Sequence, residues 1–267
     1  MENLIKTGRI FFSIGLIAFC IHQLFYGDLR PVLLATWPSW IPGIAFWSCL
    51  GNLLIILACA MVILEKNALV MAILLGFFLL LSVIMNHIPY QLSTNLHFIA
   101  GWSDALKALA FSGGAFAIAG TLTETRTGAQ SKLESWIHPM TKLIPFARIF
   151  FSIPILIFGF EHFLYPDFVA TLVPNWIPWH LFWTYFAGIA LLASGFSILL
   201  NLKASLACIL LGTMIFLWFI MLHLPRAFAD PYSGNGNEWR SVFESFSFSG
   251  IAFILAGFLS KKGQTIP

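Results

Sequence analysis

Residues 9–14 read Arg-Ile-Phe-Phe-Ser-Ile, and residues 148–153 repeat these six letters without a change. Further matches follow over four predicted helices, including Tyr26 with Tyr165, Trp40 with Trp176, His87 with His223 and Phe111 with Phe248. The shift between matching residues stays between 136 and 139 positions. A self-similarity that persists over this length indicates an internal duplication, so the chain is predicted to contain two related units.

The composition is typical of a membrane protein. Of the 267 residues, 59% are hydrophobic and only 9% are charged, whereas about a quarter of the residues in an average soluble domain are charged. A soluble domain of this length does not hide 28 Phe and 10 Trp side chains from water. We therefore predict that the lipid bilayer surrounds this chain, and we exclude a disordered protein and a nucleic-acid partner.

Eight apolar stretches are long enough to cross the hydrocarbon core, which requires about 20 helical residues. They lie near residues 10–26, 43–64, 68–85, 104–122, 148–165, 180–200, 204–222 and 241–259. The alternating pattern of a membrane barrel is not present, so helices must satisfy the backbone hydrogen bonds within the lipid. The sequence predicts an all-α polytopic membrane protein with eight transmembrane helices.

The repeat divides these helices into two units of four. Residues 1–122 form the first unit, the polar residues 123–147 form a linker, and residues 148–262 form the second unit. Because four is an even number, both units enter the membrane from the same side. The sequence therefore predicts two parallel four-helix repeats that are related by an axis along the membrane normal.

The basic residues predict the orientation, because an excess of Lys and Arg marks the cytoplasmic side. One side holds the chain ends, the linker and two short turns, with Lys6, Arg9, Lys66, Arg126, Lys132, Lys142, Arg148, Lys203, Lys261 and Lys262. The opposite side holds Arg30, Lys107, Arg226 and Arg240. Both termini and the linker are therefore predicted in the cytoplasm. Six of the seven histidines, all except His138, then lie in the outer half.

Three ionisable residues lie inside apolar stretches, where a charge is costly unless it faces a protein interior or a wet cavity. They are Glu161, Lys107 and Glu244, and the repeat places Lys107 and Glu244 at corresponding positions. Two interpretations stay open for that pair, namely a ligand site and an ion pair between the units. With the outer histidines and their repeat partners, the candidate ligand-binding residues are Glu161, His162, His223, Glu244, His22, Gln23, His87 and Lys107.

His87 and His223 each stand two residues before a proline, which predicts that a helix ends there. An imidazole at a helix end can bind the last carbonyl groups, or it can join Glu161 and His162 in a polar pocket. A metal site that shares Glu161, His162 and His223 is disfavoured, because adjacent helical side chains point about 100° apart. We therefore predict no metal ligands.

No motif supplies a complete catalytic site. The cysteines Cys20, Cys49, Cys59 and Cys208 lie in apolar stretches without C-x-x-C spacing and are predicted to be packing residues. No Ser or Cys nucleophile has a base at a recognisable spacing. A phosphate-binding glycine loop and a dinucleotide fingerprint are also missing from the sequence. The sequence motifs therefore assign neither catalytic residues nor a cofactor.

Two kinds of segment between the helices attract attention. Pro- and Trp-rich segments follow the first helix of each unit and are predicted to be caps at the outer interface; they contain Pro31, Pro38, Pro42, Pro174 and Pro178. The longest outer polar segment is Arg226–Arg240. It is either a lid over an outward cavity or an ordinary surface loop.

The stretch Gly159-Phe-Glu-His-Phe-Leu-Tyr-Pro-Asp-Phe168, with Val173-Pro-Asn-Trp-Ile-Pro178, resembles the four-helix DoxX-like family of bacterial membrane proteins. The resemblance covers both halves, as a tandem duplication, although Gln23 and Gly27 replace the His and the Pro of this motif in the first unit. It implies a multi-pass protein of the bacterial cytoplasmic (inner) membrane. The family is named for a subunit of a thiosulfate:quinone oxidoreductase, so the resemblance also implies a quinone and a redox partner protein.

Three functions follow as hypotheses. The protein binds a small apolar or amphiphilic molecule, for which a quinone is the candidate, near Glu161, His162 and His223, as an accessory that receives electrons from a partner. Alternatively, the duplicated units transport a substrate or handle lipids. The third hypothesis is a scaffold that recruits periplasmic partners through Arg226–Arg240. The buried Glu-His pair favours the first.

Overall fold

The computed structural model describes residues 1–26, 33, 43–94, 96–123 and 132–262. All regular secondary structure in these ranges is helical. Eight helical stretches among them are long and apolar enough to cross a membrane, namely Glu2–Tyr26, Ala45–Ile63, Ala68–Thr94, Ile99–Thr123, Ser135–Leu164, His180–Leu199, Ala204–Ala229 and Ser233–Ser260. The prediction of an all-α protein with eight long apolar helices is confirmed.

Several of these stretches are built from more than one helical element. The elements of the first half are α1 (Glu2–Tyr26), α2 (Ile44–Ile63), α3 (Ala68–Ser82), α4 (Ile88–Thr94) and α5 (Ser103–Thr123). The central and second parts contain α6 (Lys132–Thr141), α7 (Ala147–Leu164), α8 (Pro166–Ala170), α9 (His180–Leu199), α10 (Ala204–Trp218), α11 (Leu224–Ala229) and α12 (Ser233–Lys262). Two π-helical segments, Val83–His87 and Phe219–His223, join α3 to α4 and α10 to α11.

The second part of the predicted linker is helical. Helix α6 packs against α3 and is followed by the 3₁₀ turn Ile144–Phe146. Ile137 and Ile144 are buried, whereas Trp136 is exposed. A short amphipathic helix with an exposed indole is typical of the boundary between membrane and water.

The first helix of each unit packs against the fourth helix of the other unit. Helix α1 packs along α12, and α7 packs along α5. Helices α5 and α12 contact each other between these two pairs, and α3 and α10 then pack on their outer sides. Helix pairs that correspond under the predicted repeat therefore make corresponding contacts.

Contacts near the helix ends show the relative directions. Ile5, near the start of α1, lies against Gly257, near the end of α12, so these two helices are antiparallel. Gly120 packs against Phe258, and both residues lie near the ends of their helices, so α5 and α12 are parallel. The start of α1 and the end of α12 therefore share one end of the bundle.

Two glycines at positions that the predicted repeat makes equivalent allow close contacts between helix backbones. A Cβ atom at Gly250 would lie 2.5 Å from the amide nitrogen of Phe12 and 2.7 Å from the carbonyl oxygen of Gly8. A Cβ atom at Gly113 would lie 2.8 Å from the carbonyl oxygen of Ala147. Small residues of this kind let membrane helices approach through their backbones. Any side chain here would push the helices apart.

Corresponding serines also make corresponding hydrogen bonds between helices. Ser112 Oγ on α5 donates to the carbonyl oxygen of Gly76 on α3 at 2.8 Å. Ser249 Oγ on α12 donates to the carbonyl oxygen of Gly212 on α10 at 2.9 Å. These matched bonds agree with the duplication that the sequence suggests, and the duplication itself stays a prediction.

We expect Gly250→Ala to lower the thermal unfolding midpoint of the detergent-purified protein. The added methyl group meets the backbone of α1, and overpacking of a tight contact costs about 1–3 kcal/mol. Gly101→Ala is the control, because its methyl group would meet only side-chain atoms of Phe98 and Gln91, at 3.2 and 3.3 Å. Equal midpoints for the two variants would contradict the importance of the α1–α12 contact.

Candidate functional site

A cavity of about 780 Å³ lies mainly in the second unit, among α7, α9, α10 and α12, and Ser103 and Lys107 of α5 complete its wall. This volume is within the range of about 300–1,000 Å³ that is usual for small-molecule sites. Most of its wall is apolar and aromatic. The aromatic residues of the wall are Phe158, Phe168, Trp176, Trp183, Phe186, Trp218 and Phe248.

The segment between α7 and α9 closes one side of the cavity. Pro166 begins α8 directly after α7 has ended, and residues 171–179 turn the chain back into α9. Phe168, Pro174 and Trp176 of this segment line the cavity. The Pro- and Trp-rich segment of the second unit is therefore a cavity wall. The prolines of the first-unit segment, Pro31, Pro38 and Pro42, lie outside the described residues.

Five of the eight predicted binding residues line this one cavity. They come from α5, α7, the second π-helical segment and α12, so their distances in the sequence are large. They are Lys107, Glu161, His162, His223 and Glu244.

The other three predicted residues, His22, Gln23 and His87, do not line this cavity. Gln23 and His87 are buried in the first unit. The His22 ring lies 4.7 Å from the ring of Tyr26. Residues 27–42, which follow α1, lie outside the described part of the chain except for Leu33. A binding role for these three residues stays a prediction.

The predicted helix ends at His87 and His223 are wrong. In both places the helix continues through a π-helical turn, with the amide of Ile88 bonded to the carbonyl of Val83 and that of Leu224 to Phe219. The proline two positions after each histidine has no amide hydrogen and would collide with a carbonyl of a regular α-helix. The wider turn accommodates it, as π-bulges do elsewhere. It also places His223 in the cavity wall.

The Glu161-His162 pair lies in the last turn of α7. His162 Nδ1 donates to the carbonyl oxygen of Phe158 at 2.7 Å, and the ring stacks on Trp218 with centroids 6.4 Å apart. These contacts hold the imidazole in one orientation. Although adjacent helical positions diverge by about 100°, both side chains line the cavity, because its wall extends around the end of α7.

A cluster of ion pairs lies where α5 meets α12. Lys107 Nζ is 2.8 Å from Glu244 Oε2 and 3.9 Å from Asp104 Oδ1. Arg240 Nε lies 3.6 Å from Glu244 Oε1. The ion pair between Lys107 and Glu244 that the repeat suggested is confirmed, and both residues also line the cavity. The carboxylate of Glu244 thus forms ion pairs with two basic side chains, Lys107 and Arg240.

Glu161 has weaker contacts. Ser103 Oγ lies 3.4 Å from Glu161 Oε1, which is long for a hydrogen bond to a carboxylate. Within the described ranges, no basic side chain lies within 4 Å of this carboxyl group. Glu161 thus has no ion pair among the described residues, and Lys107, which pairs with Glu244, acts on it only from beyond 4 Å.

The segment Arg226–Arg240 lies outside the cavity wall. Its first residues belong to α11 and its last residues to α12, whereas residues 234–236 between them have left-handed backbone angles. None of its residues lines the cavity. Arg226 donates to both carboxylate oxygens of Glu238, at 2.9 and 2.8 Å, which ties the segment together. The segment therefore forms no part of the wall of this cavity, and the lid interpretation stays a prediction.

Three of the four cysteines are buried. Cys20, Cys59 and Cys208 are buried in helix contacts, as expected for packing residues, but Cys49 is exposed. The expectation of a packing role is wrong for Cys49, which lies on the exposed face of α2. Among the residues that the structure describes, His, Cys, Asp and Glu form no group of three or more that could hold a metal ion.

Four hydroxyl residues of the cavity wall were missed by the sequence analysis: Ser103, Thr184, Ser241 and Ser245. Ser241 stands three positions before Glu244 and four before Ser245, so it shares a face of α12 with each of them. Because this spacing places side chains together, it was a usable signal. Ser103 and Thr184 carry no comparable pattern.

No family model matches the chain, and no curated protein or solved structure matches it. The resemblance to the DoxX-like family therefore stays a prediction from the motif within residues 159–178.

We expect Glu244→Gln to destabilise the protein, because it leaves the partly buried Lys107 without its nearest carboxylate. A buried polar group that loses its partner costs on the order of 1–3 kcal/mol. The double variant Lys107→Met with Glu244→Gln should recover part of the lost thermal stability, since both charges are then removed. If the double variant is less stable than Glu244→Gln alone, the pairing is not the source of the effect.

Proposed function

We propose that the protein binds a small apolar or amphiphilic molecule in the cavity of the second unit. The observation that carries this proposal is the distribution of residues around about 780 Å³. Aromatic and aliphatic side chains surround most of the space, and the polar residues gather near Glu161, His162 and Glu244. Pockets with a few polar groups in an apolar wall are typical of small-molecule sites.

The cap supports a ligand that comes from the bilayer. Phe168 and Trp176 line the cavity, yet they are 66% and 67% exposed on the outside of the helices. Aromatic side chains of this kind favour the interface between lipid and water. An amphiphile would enter beside the cap and leave its polar group near Glu161.

The excess of Lys and Arg at the other end of the helices favours a position of this cavity on the outer side of the membrane. The DoxX-like resemblance favours a bacterial inner membrane. A redox accessory with a quinone is the specific form that the DoxX-like resemblance favours. A partner protein would supply the electrons, and His223 would offer a hydrogen-bonding group to the quinone ring.

We expect Ala187→Phe to remove any bound molecule, because Ala187 lines the cavity and a phenyl ring would occupy its space. Ile189→Phe is the matched control, since Ile189 lies on the same helix but is exposed away from the cavity. Mass spectrometry of what copurifies with each variant measures the result. We expect one class of amphiphile in wild type and Ile189→Phe, depleted in Ala187→Phe.

Two other results would count against the proposal. Equal amounts of copurifying molecules in all three proteins would mean that the cavity does not hold them. A purified protein that carries no such molecule and also fails to bind added decylubiquinone or phenylalkyl probes would overturn it.

A further inference from the structure

We infer that the molecule bound in this cavity is a cationic amphiphile, in which an apolar body carries a protonated or quaternary amine, with Glu161 as the counter-ion. The inference rests on the proposed amphiphile site, adds the charge and hydrogen-bonding character of the ligand, and replaces the quinone by a cation as the occupant of the cavity. It follows from which polar groups near Glu161 are already paired. His223 Nδ1, which is buried in the wall without a hydrogen-bond partner among the described residues, can accept or donate according to its tautomer and does not distinguish between the ligands.

The hydroxyl groups at this end have already donated their hydrogens. Thr184, Ser241 and Ser245 each donate to a backbone carbonyl of the preceding turn, at 3.0, 3.3 and 3.0 Å. A hydroxyl group has one hydrogen and two lone pairs. These three residues can therefore offer a ligand only hydrogen-bond acceptors unless they break a bond within the protein.

His162 is committed in the same way. A carbonyl oxygen can only accept, so the contact with Phe158 at 2.7 Å requires the hydrogen to be on Nδ1. In the neutral imidazole, Nε2 then has a lone pair and acts as an acceptor. His162 thus also favours a ligand that donates.

The basic side chains nearest this end already have carboxylate partners. Glu244 binds Lys107 at 2.8 Å and lies 3.6 Å from Arg240. Asp104 is a further partner of Lys107 at 3.9 Å. With Glu161, this cluster has three acidic and two basic side chains, so one negative charge has no counterpart.

Among the described residues, Glu161 is the acid of this cluster that has no ion-pair partner within 4 Å. Ser103 has one hydroxyl hydrogen and two acceptors, the carbonyl oxygen of Ala100 at 2.8 Å and Glu161 Oε1 at 3.4 Å. The closer and better acceptor is Ala100, so Glu161 receives at most a weak bond. A charge in an apolar setting requires a partner. The ammonium group of a ligand is such a partner.

The aromatic wall suits the same head group. Trp183, Trp218 and Phe158 line the cavity together with Glu161 and His162. The faces of aromatic rings attract cations, Trp most strongly, and the attraction is larger where water is excluded. The walls therefore favour a cation through their rings as well as an apolar body through their area.

A matched set of probes tests this inference on the full-length protein in detergent. 4-Phenylbutylammonium, 4-phenyl-1-butanol and 4-phenylbutyrate share one apolar body and differ in the charge of the head group. Isothermal titration calorimetry gives the dissociation constant of each. We expect the ammonium probe to bind about tenfold more tightly than the alcohol, which corresponds to about 1.4 kcal/mol, and the carboxylate probe to bind most weakly.

Glu161→Gln should then reduce binding of the ammonium probe about tenfold, leave the alcohol unchanged and strengthen binding of the carboxylate probe. Asp167→Asn is the control, because Asp167 is an exposed acid in the cap that does not line the cavity. It should change none of the three constants. Thermal unfolding midpoints show whether each variant is folded, and the probe series on the wild type decides the question if Glu161→Gln does not fold.

Two outcomes separate this inference from the proposed function. Equal binding of the ammonium probe and the alcohol, with no effect of Glu161→Gln, would overturn the cationic ligand but keep an amphiphile site. Preferential binding of decylubiquinone over the ammonium probe would do the same in favour of a neutral acceptor ligand. If no probe binds, the proposed function fails with the inference.

Discussion

The close contact between each unit's first helix and the fourth helix of the other unit is the constraint on which the structure depends. In lipid, helices gain little from the hydrophobic effect when they associate, so packing and interhelical hydrogen bonds must hold them together. Gly250 and Gly113 allow this contact at α1–α12 and α5–α7. Because the units exchange partners in this way, α5 and α12 are brought side by side at the centre.

The central helix pair then determines the chemistry of the cavity. Since α5 and α12 run in the same direction, Lys107 meets Glu244 at 2.8 Å and is neutralised there. Glu161, on α7, is close to the same cluster but has no basic partner within it. The first unit has His22 at the corresponding position. Under the predicted repeat, the two halves therefore differ in charge at this position, and the acid lies in the second half.

Some of the cavity residues could be predicted from the sequence, because the free-energy cost of burying a charge in lipid marks them. An ionisable side chain is expensive in hydrocarbon, so Glu161, Lys107 and Glu244 stood out, and the structure places all three at one cavity. The path of the helix at His223 was not accessible in this way. A proline is a common helix stop, and only the packed helix shows that a π-helical turn absorbs it. Apart from the spacing of Ser241 and Ser245, no sequence pattern marked the hydroxyl residues of the wall, since isolated Ser and Thr are common in membrane helices.

The sequence by itself determined the number, length and type of the membrane-crossing elements, because the thickness of the bilayer and the cost of unpaired backbone groups leave only one solution for eight apolar stretches. It also named eight candidate binding residues. Only the tertiary structure decided which five of them share a cavity and which carboxylate lacks a partner. The reason is that hydropathy identifies which segments can cross the membrane. A site depends instead on which helices are neighbours and on the distances between side chains that are far apart in the chain.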